Sequence, residues 1–202
     1  MSKPNLETLV EEYTSKILRE IFDEELPDEL NVYDFDDTLV RTEGIIHLLN
    51  TQTGERRELH PHEFHEYELG PDEEFDLSDF GVVINPVKLP HLSRMKSDYA
   101  RLGPYGVAIC TARPSIEEVA KFMAREGMGD IEMVAVGLFQ PVKGKGVGEH
   151  NARRKKDYLK GKLQQRKLKV LRFFDDNEMN CSAAETLSKE FPDVQIEVEL
   201  VK

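Results

Sequence analysis

The sequence predicts an α/β fold, a Rossmann-like parallel sheet with helices on both faces and a small polar cap or hairpin insertion after the first strand. Three observations lead there. Beyond Pro90, short apolar runs alternate with helical stretches of roughly ten to fifteen residues, the pattern of βαβ units around a parallel sheet. A β-prone run, Asn31-Val32-Tyr33-Asp34-Phe35, stands well before that alternation and ends abruptly in carboxylates. Between the two, residues 40–90 differ in kind, being polar, acidic and turn-rich.

The elements follow in order. Leu6, Leu9, Val10, Tyr13, Ile17, Ile21 and Phe22 recur at helical spacing and Pro27 closes the run, so residues 1–30 read as an amphipathic leading helix packed on the core. Residues 31–202 form the core domain, beginning with the strand at 31–35 and interrupted by the insertion at 40–90. The insertion reads as short strands or a hairpin, with a turn at Thr53-Gly54-Glu55. Helix Leu92–Leu102, strand Gly106–Cys110, helix Ser115–Glu126 and strand Ile131–Val136 come next. A basic helix Asn151–Leu163, strand Leu168–Phe174, helix Glu178–Phe191 and strand Val194–Leu200 complete the chain.

Composition narrows the class. At 202 residues, 39% hydrophobic and 33% charged, the chain is long enough to bury one sizeable core. It carries no apolar run long enough to span a membrane and no apolar stretch of a secretory signal at its start, and Cys110 and Cys181 are too few for a disulfide framework or a structural zinc site. A reducing cytoplasm is the expected location. Net charge is −12, which argues against a general polyanion binder. That average hides a basic stretch: residues 143–172 hold twelve Lys/Arg against Glu149 and Asp157. Such a stretch is either a solvated helix face or a local field that draws in an anionic substrate.

In open α/β sheets ligands bind outside the carboxyl ends of the strands. Three such ends gather polar groups: Asp34, Asp36 and Asp37 after the first strand, Thr111 and Arg113 after the second, Asp175 and Asp176 after the late one. Clustered carboxylates repel, and a proton or a hard cation relieves them. Oxygen ligands without nearby His or Cys suit Mg²⁺. A Mg²⁺ site beside a threonine at a helix start and a basic side chain outlines a phosphoryl site, where a carboxylate can act as nucleophile.

These residues match a family pattern. Val32-Tyr33-Asp34-Phe35-Asp36-Asp37-Thr38-Leu39 resembles the first motif of haloacid-dehalogenase-like phosphatases, an apolar strand followed by D-x-D-x-T. Ala108-Ile109-Cys110-Thr111-Ala112-Arg113 is similar to their second motif and Phe173-Phe174-Asp175-Asp176-Asn177 to their fourth, with a lysine in the intervening helix as the third. The resemblance covers residues 31–200. The polar stretch with Gly54-Glu55 and His60-Pro61-His62-Glu63-Phe64 also resembles small phosphatases encoded by bacteriophages.

The resemblance implies a Mg²⁺-dependent phosphomonoesterase that works through an aspartyl phosphate. Asp34 would be the nucleophile and Asp36 the acid and base. Asp34, the backbone carbonyl of Asp36, and Asp175 or Asp176 would hold the metal. Thr111 would bind a phosphate oxygen, and Arg113 would contact phosphate or nucleotide, or else form a surface ion pair. For the lysine, a helical wheel centres the apolar Tyr158, Leu159 and Leu163 near Lys155, with Lys156 as reserve and Lys143 and Lys145 as further candidates. The expected substrate is a nucleotide or nucleic-acid terminal phosphate; a sugar or other metabolite phosphate is the alternative, and a non-catalytic binding protein of the same fold the rival.

Other features have plainer readings. Asp37 is expected only to start a helix. His60, His62 and His65 with Glu63 lack a second ligand set at zinc spacing. Gly144, Gly146 and Gly148 match neither phosphate-binding glycine pattern and read as a mobile basic loop.

Overall fold

A computed structural model describes residues 26–59, 67–77, 82–137 and 147–202. The expected leading helix (apart from its last residues), the His60/His62/His65 cluster, and Lys143, Lys145, Gly144 and Gly146 lie outside the described residues. The elements are β1 (Glu29–Tyr33), β2 (Val40–Arg41), β3 (Ile46–Asn50), β4 (Arg56–Leu59), β5 (Glu73–Asp76), β6 (Val87–Lys88), α1 (Pro90–Leu102) and, after a single 3₁₀ turn Pro104–Gly106, β7 (Val107–Thr111). They continue through α2 (Glu117–Arg125), β8 (Glu132–Ala135), α3 (Val147–Gln165), β9 (Val170–Asp175), α4 (Glu178–Glu185), α5 (Leu187–Glu190) and β10 (Gln195–Leu200).

Five strands form one sheet in the order β10–β9–β1–β7–β8, and every pairing in it is parallel. The α/β expectation therefore holds. β1 is central, and the chain first builds outward through β7 and β8, then returns to lay β9 and β10 on the other side. This reversal is a switch point, and it brings the carboxyl ends of β1, β7 and β9 side by side.

Alternation along the strands divides the core. Tyr33, Val107, Ile109 and Phe174 face one side, where they pack with Leu92 and Met95 of α1 and Val119, Phe122 and Met123 of α2. Val32, Ala108, Cys110, Leu171 and Phe173 face the other, against Leu159 and Leu163 of α3, Ala184 of α4 and Leu187 of α5. Helices thus cover both faces, which is why the central strands are apolar on successive residues. Tyr33 and Phe174 stack at 4.4 Å between ring centroids, tying β1 to β9 one residue before each strand's carboxylate.

The insertion is small and sheet-like. β2 and β6 pair as a two-stranded stalk, and β4–β3–β5 form an antiparallel sheet above it. Ile46, Leu48, Leu59 and Phe75 make its own apolar cluster, which includes Val147 from the first turn of α3. The insertion is therefore seated on the helix that carries the candidate lysines.

Several boundaries differ from the sequence reading. α3 begins at Val147 rather than Asn151, because burial of Val147 under the insertion outweighs the poor helix propensity of Gly148. The helix expected over 178–191 is two helices, divided at Thr186, whose hydroxyl donates to the Ala183 carbonyl at 2.6 Å. Asp37 does not start a helix. It has φ 53° in a tight turn whose Asp37 N–H donates to the Val40 carbonyl at 2.8 Å, so the chain reverses at once into the insertion stalk. The second motif likewise does not open a helix at Thr111: Pro114 disfavours helical geometry at Arg113, and α2 starts only at Glu117.

A cavity of about 390 Å³ lies at the opposite, amino end of the sheet, between Leu30, Tyr105, Val107 and Ile131. Among its polar groups Lys162 pairs with Glu132, and Arg166 donates to the Tyr105 carbonyl. At that same end Glu29 receives Arg101 at 2.6 Å and also pairs with Arg172, joining β1 to α1 and β9. The Arg101 hydrogen bond, aided by the Arg172 charge, holds the Glu29 carboxyl down at about 2 against 4.5 unperturbed. A depressed carboxylate stabilises the fold above its unfolded pKa and loses that contribution as pH falls through the folded one. Glu29→Gln is expected to cost about 1–2 kcal/mol at pH 7 after solvent screening. Urea unfolding should show the difference shrinking between pH 4.5 and about 2; a constant difference over that range would remove the assignment.

Candidate active site

The centre of the site is the side chain of Lys155. One turn beyond it on α3, Leu159 packs into the core, which directs Lys155 along the sheet face toward the strand ends. The ammonium, in a residue only 1% exposed, lies 2.8 Å from Asp34 Oδ1 and 2.7 Å from Asp175 Oδ2. Lys156 turns outward and pairs with Glu190 at 3.0 Å. Of the two lysines, Lys155 is the one the helix brings to the acids.

Asp34 follows β1, and its backbone N–H donates to the Phe174 carbonyl at 2.8 Å, so the sheet ladder itself fixes its place beside β9. Asp175, fully buried, is held from three sides. Its Oδ2 accepts from Lys155, and its Oδ1 accepts from the Asn177 N–H at 3.0 Å and the Asn180 side-chain amide at 2.8 Å. Asn177 caps α4, its Oδ1 accepting from the N–H groups of Met179 and Asn180. Asp176 is exposed at the mouth of the site.

Each of Asp34, Asp175 and Asp176 offers a carboxylate oxygen, and the three lie within 4.8 Å of one another. Three carboxylates around one ammonium leave negative charge uncompensated. Burial raises the Asp34 carboxyl well above its ordinary range, and Asp175 and Asp176 raise it further against the pull of Lys155. Desolvation along the site wall, then the Asp175 charge, pushes Asp176 up to about 7. Burial draws the Lys155 ammonium down, but Asp175 and Asp34 outweigh it and hold it above the usual lysine value.

The donor set fits Mg²⁺. It is all oxygen and rich in charge, and Asp34 Oδ1 is buried without a hydrogen-bond donor of good geometry. The Asp36 side chain does not join this set. It is held by Arg113 in a bidentate pair, Nε to Oδ2 at 2.7 Å and Nη2 to Oδ1 at 2.8 Å. The Asp36 carboxylate is therefore not among the candidate ligands.

Arg113 is fully buried, so its pair with Asp36 is not a surface ion pair. Besides Asp36 it reaches the Thr42 hydroxyl at 3.3 Å and the Val82 carbonyl at 3.2 Å, which lie on the two sides of the insertion stalk. Thr111, also buried, ends β7, and its hydroxyl accepts from the Arg113 N–H at 3.2 Å. Gly137 packs so closely under this loop that a Cβ there would sit 1.9 Å from the Ala112 carbonyl oxygen. Asn180, Thr42 and Gly137 were not singled out from the sequence. For Asn180 alone there was a signal, its place three residues after a capping asparagine.

No family model matches the chain, and comparisons with characterised proteins and with solved structures find no match.

Two outcomes are expected. Lys155→Met leaves Asp34 and Asp175 buried without their cation and should destabilise the protein by roughly 3–5 kcal/mol, whereas Lys156→Met removes only a surface pair worth about 0–1 kcal/mol. Chemical denaturation of both variants decides this, and equal losses would displace Lys155 from the centre. Separately, Mg²⁺ should raise Tm, by about 2.7 kcal/mol of stability at a hundredfold excess over Kd. Because the Asp176 carboxyl is raised, its ionisation opposes folding as pH climbs from 3.8 toward about 7. Asp176→Asn should therefore hold or raise Tm in EDTA at pH 8 and blunt the Mg²⁺ shift. A full shift in that variant would take Asp176 out of the ligand set.

Proposed function

We propose that the protein is a phosphomonoesterase of the haloacid-dehalogenase-like type, with Asp34 as nucleophile and Mg²⁺ as cofactor. The observation that carries this reading is the Lys155 ammonium set between Asp34 and Asp175, with Asp176 beside them, at the carboxyl ends of β1 and β9. Under the same reading the sheet is the Rossmann-like core of that superfamily and the insertion between β1 and α1 is its cap.

The residues divide the work. Asp34, Asp175, Asp176 and the Asp36 carbonyl would hold Mg²⁺, which when bound neutralises the charge of nucleophile and phosphate together. Asp34 attacks phosphorus, forming the aspartyl phosphate while the ester oxygen leaves. Lys155 offsets the charge on the phosphoryl group in flight, and Asp175, locked by Asn177 and Asn180, keeps Lys155 in place. Thr111 offers a hydroxyl at the end of β7 for a phosphate oxygen. Asp36 serves first as acid toward the leaving oxygen and then as base toward water. A carboxylate gripped by a guanidinium accepts rather than donates, so the acid step requires Asp36 to turn from Arg113. Arg113 is read as the residue that parks Asp36 at the insertion stalk, not as a phosphate ligand.

The substrate reading shifts toward a small phosphate ester. Part of the basic stretch is paired with acids: Lys156 and Lys160 with Glu190, Lys162 with Glu132, Lys169 with Asp28, and Arg172 with Glu29 and Glu197. What remains suits a nucleotide or sugar phosphate better than a nucleic-acid end.

Phosphate release with and without Mg²⁺ tests the proposal. Asp34→Asn should abolish turnover while leaving a folded protein, and residual release near the wild-type rate would end the covalent mechanism. Asp36→Asn should slow alkyl phosphates by roughly 10²–10⁴-fold and p-nitrophenyl phosphate much less, since a good leaving group needs no acid. For a phosphorylated oligonucleotide, KM should change little with salt, far from the slope of about −0.7 per neutralised phosphate on single strands.

A further inference from the structure

We infer that Asn151 is a specificity-determining residue whose carboxamide binds a hydroxyl of the leaving alcohol, so that the substrate is the phosphate ester of a hydroxyl-bearing alcohol such as a sugar or the ribose of a nucleotide. This rests on the phosphomonoesterase reading and extends it to the substrate.

The inference begins with an unusual side chain. Asn151 is 1% exposed, and neither its Oδ1 nor its Nδ2 has a hydrogen-bond partner among the described residues. Each unmade hydrogen bond of this kind is costly in a folded protein, so a native structure that retains both has a reason for them.

Its place in the fold supplies the reason. β8 and β9 are parallel strands of one sheet on opposite sides of β1 and β7, so α3 between them starts at the carboxyl ends and finishes at the amino ends. Along the inward face of α3, Val147, Asn151, Lys155 and Leu159 recur at intervals of four, and all are buried. Leu159 packs on the sheet, Lys155 meets Asp34 and Asp175 at the strand ends, and Val147 enters the apolar cluster of the insertion. Asn151 stands one turn, about 6 Å, above Lys155 toward the insertion. With phosphorus at Asp34, that is the level of the alcohol.

The chemistry of the amide selects the ligand. A phosphate oxygen would satisfy Nδ2 but not Oδ1, because it only accepts. A hydroxyl donates to Oδ1 or accepts from Nδ2, and adjacent hydroxyls on a sugar do both at once. Asp34 and Lys155 would act on any phosphate ester, so Asn151 discriminates among alcohols and takes no part in bond breaking.

The test compares ethyl phosphate with ribose 5-phosphate and adenosine 5′-monophosphate, using the full chain with Mg²⁺ and the near-isosteric Asn151→Leu. The variant should lower kcat/KM for the two ribose esters by roughly 10–100-fold, mostly through KM, and leave ethyl phosphate within about threefold. A lower KM for the nucleotide assigns the hydroxyls to a nucleoside and a lower KM for ribose 5-phosphate to a free sugar; either outcome supports the inference. Equal losses on all three esters, or no loss on any, overturn it. A stability arm is independent of catalysis: Asn151→Leu should keep or raise Tm without ligand, because it removes two unpaired polar atoms, and a drop of several degrees would show that the amide serves the fold. Calorimetric titration of ribose 5-phosphate into Asp34→Asn and into the Asp34→Asn, Asn151→Leu double variant separates the two readings. Binding that depends on Asn151 in a protein whose wild type releases no phosphate would sink the enzyme and keep the hydroxyl site. Binding that ignores Asn151 would sink the inference whatever the activity.

Discussion

The buried ammonium of Lys155 between Asp34 and Asp175 is the constraint around which the rest of the site is arranged. Taking such ions out of water costs several kcal/mol each, and only close geometry with further hydrogen bonds offsets it. The Lys155–Asp175 hydrogen bond at 2.7 Å meets the first requirement, and the hold of Asn177 and Asn180 on Asp175 meets the second, while Asp34 Oδ1, 2.8 Å away, adds charge attraction alone. Each partner comes from a different element, so the pairing also fixes α3 against the ends of β1 and β9. The apolar contacts of Leu159 and Leu163 set the height of the helix, and the ammonium sets its end point. One cation does not balance three acids, and that surplus of negative charge is what the proposed Mg²⁺ would offset.

A second ion pair governs the other side of the site. Arg113 binds Asp36, the Thr42 hydroxyl and the Val82 carbonyl, so one guanidinium links the turn after β1 to both edges of the insertion stalk. The carboxylate proposed for proton transfer is thereby tied to the insertion. The first apolar turn of α3 supports the insertion from the opposite flank through Val147. The insertion, Asp36 and the lysine helix are thus joined by packing as well as by sequence order.

Much of this was legible before any coordinates. The parallel sheet follows from the alternation of strands and helices, though its strand order does not, and the gathering of Asp34, Thr111 and Asp175 at one edge follows from the rule that parallel strands present their carboxyl ends together. Lys155 over Lys156 followed from a helical wheel, because Leu159 and Leu163 are strong markers of the inward face. Arg113 was not legible. Nothing in Thr111-Ala112-Arg113 says that a guanidinium will turn toward Asp36, 77 residues earlier, rather than toward a ligand. Asp37 misled because an aspartate after a strand suits a helix start and a left-handed turn equally well, and the choice is made by the stalk pairing of Val40 with Lys88. The start of α3 was set too late because local propensity at Gly148 spoke against a helix that the insertion's apolar cluster stabilises from outside.

The charge pattern teaches the same lesson at larger scale. Twelve basic residues over 143–172 in a chain of net charge −12 suggest an anion-binding face when counted along the sequence. In three dimensions the acids that neutralise them come from elsewhere: Glu190 from α5, Glu132 from β8, Glu29 from β1, Glu197 from β10. Lys156, Lys160, Lys162 and Arg172 bind neighbouring elements, and among the described residues of the run Lys155 is the cation carried inward to the acids. A run of like charge is a surface property only until the fold supplies its counter-ions. Here the fold supplies them for Lys156, Lys160, Lys162, Lys169 and Arg172, while at the strand ends the excess reverses sign, with Asp34, Asp175 and Asp176 gathered at the one ammonium of Lys155.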